Sequence, residues 1–267
     1  MYKKIQGKDN SSKYDPFKND VYALGLSILE VGNGKSIKDI YNTNGTVDQA
    51  KLDAHVNTFS QKYKGEYLGN HGNFVMNSLQ AIKHITSVDG GLLFLPHENL
   101  YKRGKLLRWY GIDRESNRKD FRCEANIEEW GFKFHMNDVN ATIGMENFKH
   151  VKEITSKHKE NAAYYDEALK NTPGIILLKR HSDRESSFWI YSILVDRKED
   201  FYRYMKECGI STSQVHERND KHTCVREFVC SLPNLDKTIG KMVSIPVGWW
   251  VTPEDRQYIV DTIKKGW

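Results

Sequence analysis

No stretch of this chain is apolar for long enough to cross a bilayer. The longest run, VYALGLSIL from Val21 to Leu29, falls well short of the roughly 20 residues that a spanning helix needs. Cysteines are scarce: Cys123, Cys208, Cys224 and Cys230 are the whole complement, and no two of them have CxxC spacing. The polar opening MYKKIQGKDNSSKYD lacks the apolar core of a secretory leader. Free thiols in a reducing, cytoplasmic compartment, with no membrane partner, are therefore the expectation. Internal repeats and low-complexity tracts are absent as well. Neither sign of charge dominates: the net charge is +5, which suits anionic small molecules as well as it suits nucleic acid.

What is present is enough for a core, with 39% hydrophobic and 28% charged residues in 267, so one large domain or two modest ones are expected. Residues 1–14 read as a polar tail. Asp20 to Val31 reads as a buried helix with an acidic start, stopped by GNGK, and Thr46 to Tyr63 as a second helix. From Phe74 the rhythm changes. Phe74 to Leu79 and Gly91 to Leu95 read as short buried strands, and Glu98 to Gly111 as a helix with glycine at its end. A charged loop follows, from about Ile112 to Glu129. One long helix is expected from Asn137 or Asp138, either serving as N-cap, to the Pro173–Gly174 stop. Beyond it, strands in IILLK, FWIYSILV and STSQV alternate with helices in KEDFYRYMKECG and PEDRQYIVDTIKKG. This order predicts an α/β portion followed by an α+β portion.

Several local patterns suggest chemistry. GNGKS, Gly32 to Ser36, would need glycine where Leu29 stands to be a phosphate-cradling loop, and it follows a helix where such a loop follows a strand. His216, His222, Cys224 and Cys230 could supply zinc ligands. Their spacing matches no common pattern, so no metal is expected and polar loop residues that touch a ligand are the better reading. Lys102 to Arg122 interleaves arginine with aromatics, but Asp113, Glu115 and Asp120 interrupt it. A solvated helix and loop is the plain reading, a grip on an anionic cofactor or substrate the next, and nucleic acid is not expected. Lys83 stands alone among short apolar residues in LQAIKHITSVDGG. Desolvation there would lower its pKa and make the amine a nucleophile toward carbonyls. Ser78, five residues upstream, can donate its hydroxyl to a phosphate oxygen, and the glycines after Asp89 permit a tight turn.

From about Tyr63 to Trp267 the chain resembles the DegT/DnrJ/EryC1/StrS sugar aminotransferases, pyridoxal-phosphate enzymes of fold type I. The strings that carry the resemblance are YKGEYLGNHGNFVMNSLQAIKHITSVDGG, KLLRWYGIDR, GFKFHMNDVNATIGMENF, NAAYYDEAL, SSFWIYSILV and VSIPVGWWVTPED. It implies an incomplete large domain, residues 63–170, followed by a smaller α+β domain, residues 171–267. It implies pyridoxal phosphate as cofactor, Lys83 as the catalytic lysine that carries it, and Ser78 as a phosphate ligand. Lys133 and His135 lie where relatives reach the cofactor phosphate of a neighbouring subunit, in places where many relatives carry Asn and Arg. His222 and Arg108 are the implied contacts to the nucleotide-sugar. The implied reaction moves an amino group, commonly from glutamate, to a keto carbon of a nucleotide-linked sugar in amino-sugar biosynthesis, in a homodimer.

Residues 1–62 break the pattern. A complete relative has a long region here that supplies an acid for the pyridinium nitrogen, and Asp53 and His55 match it only loosely. KYDPFKNDVYALGLSILEV instead resembles the piece of a protein kinase that follows the activation segment, with Asp20 opening its helix; the nucleotide-binding and catalytic kinase motifs are missing. Three readings stay open: an aminotransferase, a non-catalytic fusion fragment that is inactive because it is truncated, and a kinase-related binding module.

Overall fold

A computed structural model describes residues 61–68, 74–95, 97–114 and 126–267. The expected helices around Asp20 and Asp53, and the kinase-like piece, lie outside the described residues. Helices and sheets mix along the chain, as an α/β architecture requires. The described residues divide into two compact units, one within residues 66–151, the other made of residues 61–65 and 152–267.

The first unit is built on a hairpin. Strands β1 (Val75–Ser78) and β2 (Gly91–Phe94) run antiparallel, with Val75 opposite Phe94 and Ser78 opposite Gly91. β1 alternates half-buried with exposed residues. β2 buries Leu92, Leu93 and Phe94 in succession, the signature of a strand covered on both faces. Helix α1 (Glu98–Arg108) follows, with an acidic residue in its first turn and Lys105 and Arg108 in its last. That arrangement complements the helix dipole. Helix α2 (Asp138–Phe148) is capped by Asn137, whose side chain accepts from the Asn140 amide at 2.9 Å. The core of this unit gathers Leu79, Ile85, Leu92, Phe94, Met136, Ala141 and Val151.

The single long helix expected from Asn137 is two helices. α2 ends at Phe148 and α3 runs Val151–Ala168. The break has a tertiary cause. The Asn147 side chain donates both to Ile143 O, at 3.1 Å, and to Thr86 O of the hairpin connection, at 3.0 Å. The amides of Lys149 and His150 then tighten onto carbonyls three residues back, Glu146 and Asn147, as helix ends commonly do.

The second unit stacks α3, α4 (Lys198–Glu207) and α6 (Pro253–Lys265) around an antiparallel sheet of β3 (Ile175–Leu177), β4 (Tyr191–Val195) and β5 (Met242–Ile245), in the order β3-β4-β5. β4 is central, and its alternate residues Tyr191, Ile193 and Val195 are fully buried. The core closes over Tyr165, Leu169, Phe201, Met205, Val243, Ile259 and Ile263. The expected strand in STSQV is a single bridge, Ser213 to Ser244. A short helix the sequence reading did not foresee, α5 (Pro233–Ile239), starts on its proline. Thr252 and Asp255 form a reciprocal capping box at the start of α6. At the chain's last residue, the Trp267 ring meets Phe201 edge-on at 4.9 Å, and its indole N–H donates to Asp196 O at 2.8 Å.

Candidate functional site

Lys83 sits in the connection between β1 and β2, and that connection is pinned at many points. Leu79 is fully buried and Ile85 nearly so, so two apolar anchors flank the lysine. The Leu79 carbonyl accepts from the Ser87 amide at 2.9 Å and the Thr86 hydroxyl at 3.3 Å, while the Leu79 amide donates to Gly90 O at 2.8 Å. The Lys83 amide itself donates to Gln80 O at 2.9 Å. Val88 and Gly90 both take positive φ, 73° and 146°, which lets the chain reverse and re-enter β2. The Lys83 side chain is half-buried, and desolvation holds its amine below the ordinary lysine value. Ser78 closes β1 just before this connection. Its exposed hydroxyl oxygen accepts from the Gln80 amide at 3.3 Å.

Helix α2 braces the connection from one side. Asn147 donates to Thr86 O and Asn140 to Asp89 O, at 3.0 and 3.3 Å. These two residues are seven apart, so they share one helix face. The sequence reading gave neither a role; two asparagines at that spacing were the available signal.

Arg108, Lys133 and His135 come together around Trp109. Segment 132–134 pairs antiparallel with 107–110. Phe132 N–H donates to Leu107 O at 2.7 Å, Phe134 N–H to Arg108 O at 3.0 Å, and Tyr110 N–H to Phe132 O at 3.0 Å. Extended backbone alternates its side chains. Phe132 and Phe134 therefore share one face, stacked at 4.7 Å, and Lys133 and His135 share the other. Lys133 Nζ lies 4.2 Å from the centre of the Trp109 ring, the Arg114 guanidinium 4.9 Å, and the His135 ring meets Trp109 edge-on at 4.1 Å. His135 Nδ1 is buried without a hydrogen-bond partner among the described residues. Burial first, then Lys133, Arg114 and Arg108, hold the His135 pKa below its ordinary value, with Asp138 opposing. Two glycines let the pairing close. A Cβ on Gly131 would stand 2.4 Å from Gly111 N, and one on Gly111 would stand 2.0 Å from Glu129 O. Arg103 clamps the same junction through a two-point contact to Glu129 at 2.6 and 3.0 Å. Arg114 falls within the basic stretch 102–122 that the sequence offered as a grip on an anion; Trp109 was missed, because its neighbours lie across a loop.

His222 belongs to the second unit. It lies exposed between two short 3-10 turns, Asn219–Lys221 and Thr223–Phe228. Arg218 organises this loop, gripping Asp220 at 2.5 and 2.6 Å and reaching Asp236 of α5 at 2.6 Å. Those carboxylates hold its guanidinium above the ordinary arginine value. Cys208, Cys224 and Cys230 are free thiols. Among the described residues, no cluster of three or more His, Cys, Asp or Glu could hold a metal, and no helix is long and apolar enough to cross a membrane.

Comparison with known proteins locates this arrangement. The sequence profile of the DegT/DnrJ/EryC1/StrS aminotransferase family matches residues 52–264. The crystal structure of AtS13 from Actinomadura melliaura is 43% identical and superimposes with a TM-score of 0.74, covering 83% of this chain and 64% of that one. The sugar aminotransferase CalS13 from Micromonospora echinospora is 38% identical, with the same TM-score and coverage. A UDP-4-amino-4,6-dideoxy-N-acetyl-beta-L-altrosamine transaminase from Campylobacter jejuni is 23% identical over 89% of this chain and 64% of its own. The chain spans only 56–66% of the length of the curated relatives it matches.

Proposed function

Because the chain belongs to the DegT/DnrJ/EryC1/StrS aminotransferase family, with the α/β fold of fold type I, we propose that it carries the lysine chemistry of a pyridoxal-phosphate aminotransferase. The substrate is a nucleotide-linked keto sugar, the amino donor glutamate, and the setting amino-sugar biosynthesis in the cytoplasm. The observation that carries this reading is the Lys83 amine, half-buried, desolvated and held in a connection pinned by Leu79 and Ile85. Lowering an amine's pKa favours the unprotonated form that attacks a carbonyl carbon, and the aldehyde of pyridoxal phosphate is such a carbonyl.

The residues fit the cofactor's chemistry. Pyridoxal phosphate, when bound, supplies a conjugated ring that accepts the electrons released at the amino carbon. Lys83 Nζ holds the cofactor and, once released, moves the proton at the reacting carbon. The Ser78 hydroxyl, at the mouth of the same connection, donates to a phosphate oxygen. Lys133 and His135 face the cofactor phosphate of a second protomer in a homodimer. Arg108 meets the diphosphate of the sugar nucleotide and His222 its sugar. Residues 63–170 act as the cofactor-bearing part and 171–267 as the smaller domain.

The test is the visible absorption of the purified chain with added pyridoxal phosphate, wild type beside Lys83→Ala. The expected result is a band of lysine-bound cofactor in the wild type, fixed to Lys83 by borohydride reduction and absent from the variant. The same band in both proteins, or a band in neither, overturns the reading.

A further inference from the structure

Thr86 is the knot of the connection that carries Lys83. Its hydroxyl donates to Leu79 O at 3.3 Å and accepts from the Val88 amide at 2.9 Å, and its carbonyl accepts from Asn147 Nδ2 at 3.0 Å. One residue thus ties the two limbs of the connection to each other and to helix α2. The hydroxyl bond closes the stretch 79–86 into a loop, and Lys83 lies in its middle. The α2 end of the knot is firm. Ala141, Met145 and Phe148 pack into the same core as Leu79 and Ile85, and the Asn147 amide is also held by Ile143 O. Val88 shows that the knot works against a local preference. It stands at φ 73°, in the left-handed region that a β-branched residue resists. Such a conformation persists where the surroundings over-determine it. Its side chain is exposed, so burial does not offset the strain, whereas the Thr86 hydroxyl takes its amide.

We propose that Thr86 and Asn147 are positioning residues for Lys83: they fix the closed stretch 79–86 against α2, so that the amine meets an incoming aldehyde carbon from a backbone already in place. The proposal rests on the reading of Lys83 as the cofactor-bearing lysine, and extends it to two residues that act on that lysine through its backbone. In the step they serve, the unprotonated amine bonds to the aldehyde carbon, and its two hydrogens leave with the aldehyde oxygen as water. A reacting group displaced by about 1 Å can lose about a hundredfold in rate. The flexible four-carbon stem of lysine absorbs part of such a shift, so a loosened backbone should slow capture by about tenfold. Asn140 offers the comparison. It reaches the connection from the same helix face but bonds Asp89 O, on the far limb, at 3.3 Å.

The experiment mixes the full chain with pyridoxal phosphate and follows the rate at which the lysine-bound band appears, with borohydride reduction and peptide mass assigning the product to Lys83. Each protein is measured well below its own melting temperature, so that a loss of global stability alone leaves the rate unchanged. T86V keeps the shape of the side chain and removes the hydroxyl, T86S keeps the hydroxyl, and N147A removes the donor from α2. Capture is expected to slow by about tenfold in T86V and N147A, and to stay close to the wild-type rate in T86S and N140A. Wild-type rates in T86V and N147A overturn the proposal. So does equal slowing in T86S, or in N140A, since a general weakening of the α2 contact would then be the cause. Hydrogen exchange of the cofactor-free chain separates this proposal from the reading on which it rests. The Lys83 amide, bonded to Gln80 O, is expected to lose about fivefold in protection in T86V and N147A but not in T86S or N140A. If wild type captures no cofactor, the aminotransferase reading falls, and equal Lys83 protection in all five proteins overturns the positioning role on its own.

Discussion

Asn161 shows how much one buried amide can hold. Its Nδ2 points at the carbonyls of Val247, Gly248 and Val251, at 3.3, 3.1 and 3.2 Å, and its Oδ1 accepts from Arg256 at 3.1 Å. Asn161→Ala removes the side-chain donor that these carbonyls share, leaving Gly248 O with only the Val251 amide at 3.0 Å, and we expect a loss of about 2–3 kcal/mol in urea unfolding. His158 is another buried polar residue of α3. Its ring bonds the Phe188 carbonyl through Nδ1 at 2.8 Å. Burial holds its pKa below the ordinary 6.5, and that hydrogen bond opposes the shift. The folded protein thus resists a proton that the unfolded chain accepts. The stability it contributes is present above the unfolded value and is lost as pH falls from there toward the folded one. Melting temperature measured between about pH 8 and pH 5 should fall more steeply in wild type than in His158→Gln, which keeps a donor but cannot titrate. Parallel curves would refute this assignment.

At the scale of elements, the close pairing of 107–111 with 129–134 is what builds the cationic face. Gly131→Ala places a Cβ against backbone atoms at 2.4 and 2.8 Å, and neither neighbour is a flexible side chain that can yield. The expected outcome is a loss of about 2 kcal/mol or more in urea unfolding; unchanged stability would mean the pairing relaxes freely. The same elements show what a sequence can disclose. Asn137 as N-cap, the strand carrying Ser78 and the lysine among apolar residues were legible, because capping, alternation and local desolvation are written within a few residues. The break between α2 and α3 was not, since its cause is a bond from Asn147 to Thr86, far away in sequence. Lys133 and His135 were reached only through resemblance. The alternation FKFH was visible, but nothing local tells that Trp109 and Arg114 meet its basic face.

For the molecule as a whole, the first unit exposes Met76, Ile82 and Val139 at 50%, 61% and 68% of their surface. Large apolar side chains this exposed are candidates for an association surface. Sedimentation equilibrium should give a mass twice the 31.0 kDa of the chain, and Ile82→Asp should shift it toward the monomer. A wild-type mass of one chain would remove the homodimer from the functional reading. If Lys83 and His135 meet one cofactor from different protomers of that dimer, mixing Lys83→Ala with His135→Gln subunits should restore one intact site per mixed pair.

The period of two in segment 132–135 has a consequence for how this gene can change. Phe132 and Phe134 face one way and Lys133 and His135 the other. Replacing any one of them alters a single contact. Losing or gaining one codon at its start, between Gly131 and Phe132, exchanges the faces, turning phenyl rings toward Trp109 and the basic side chains to where the rings stacked. Divergence here is therefore confined to point changes, and a library of single-codon deletions should show a sharp trough of viability over these few positions, flanked by tolerance on either side.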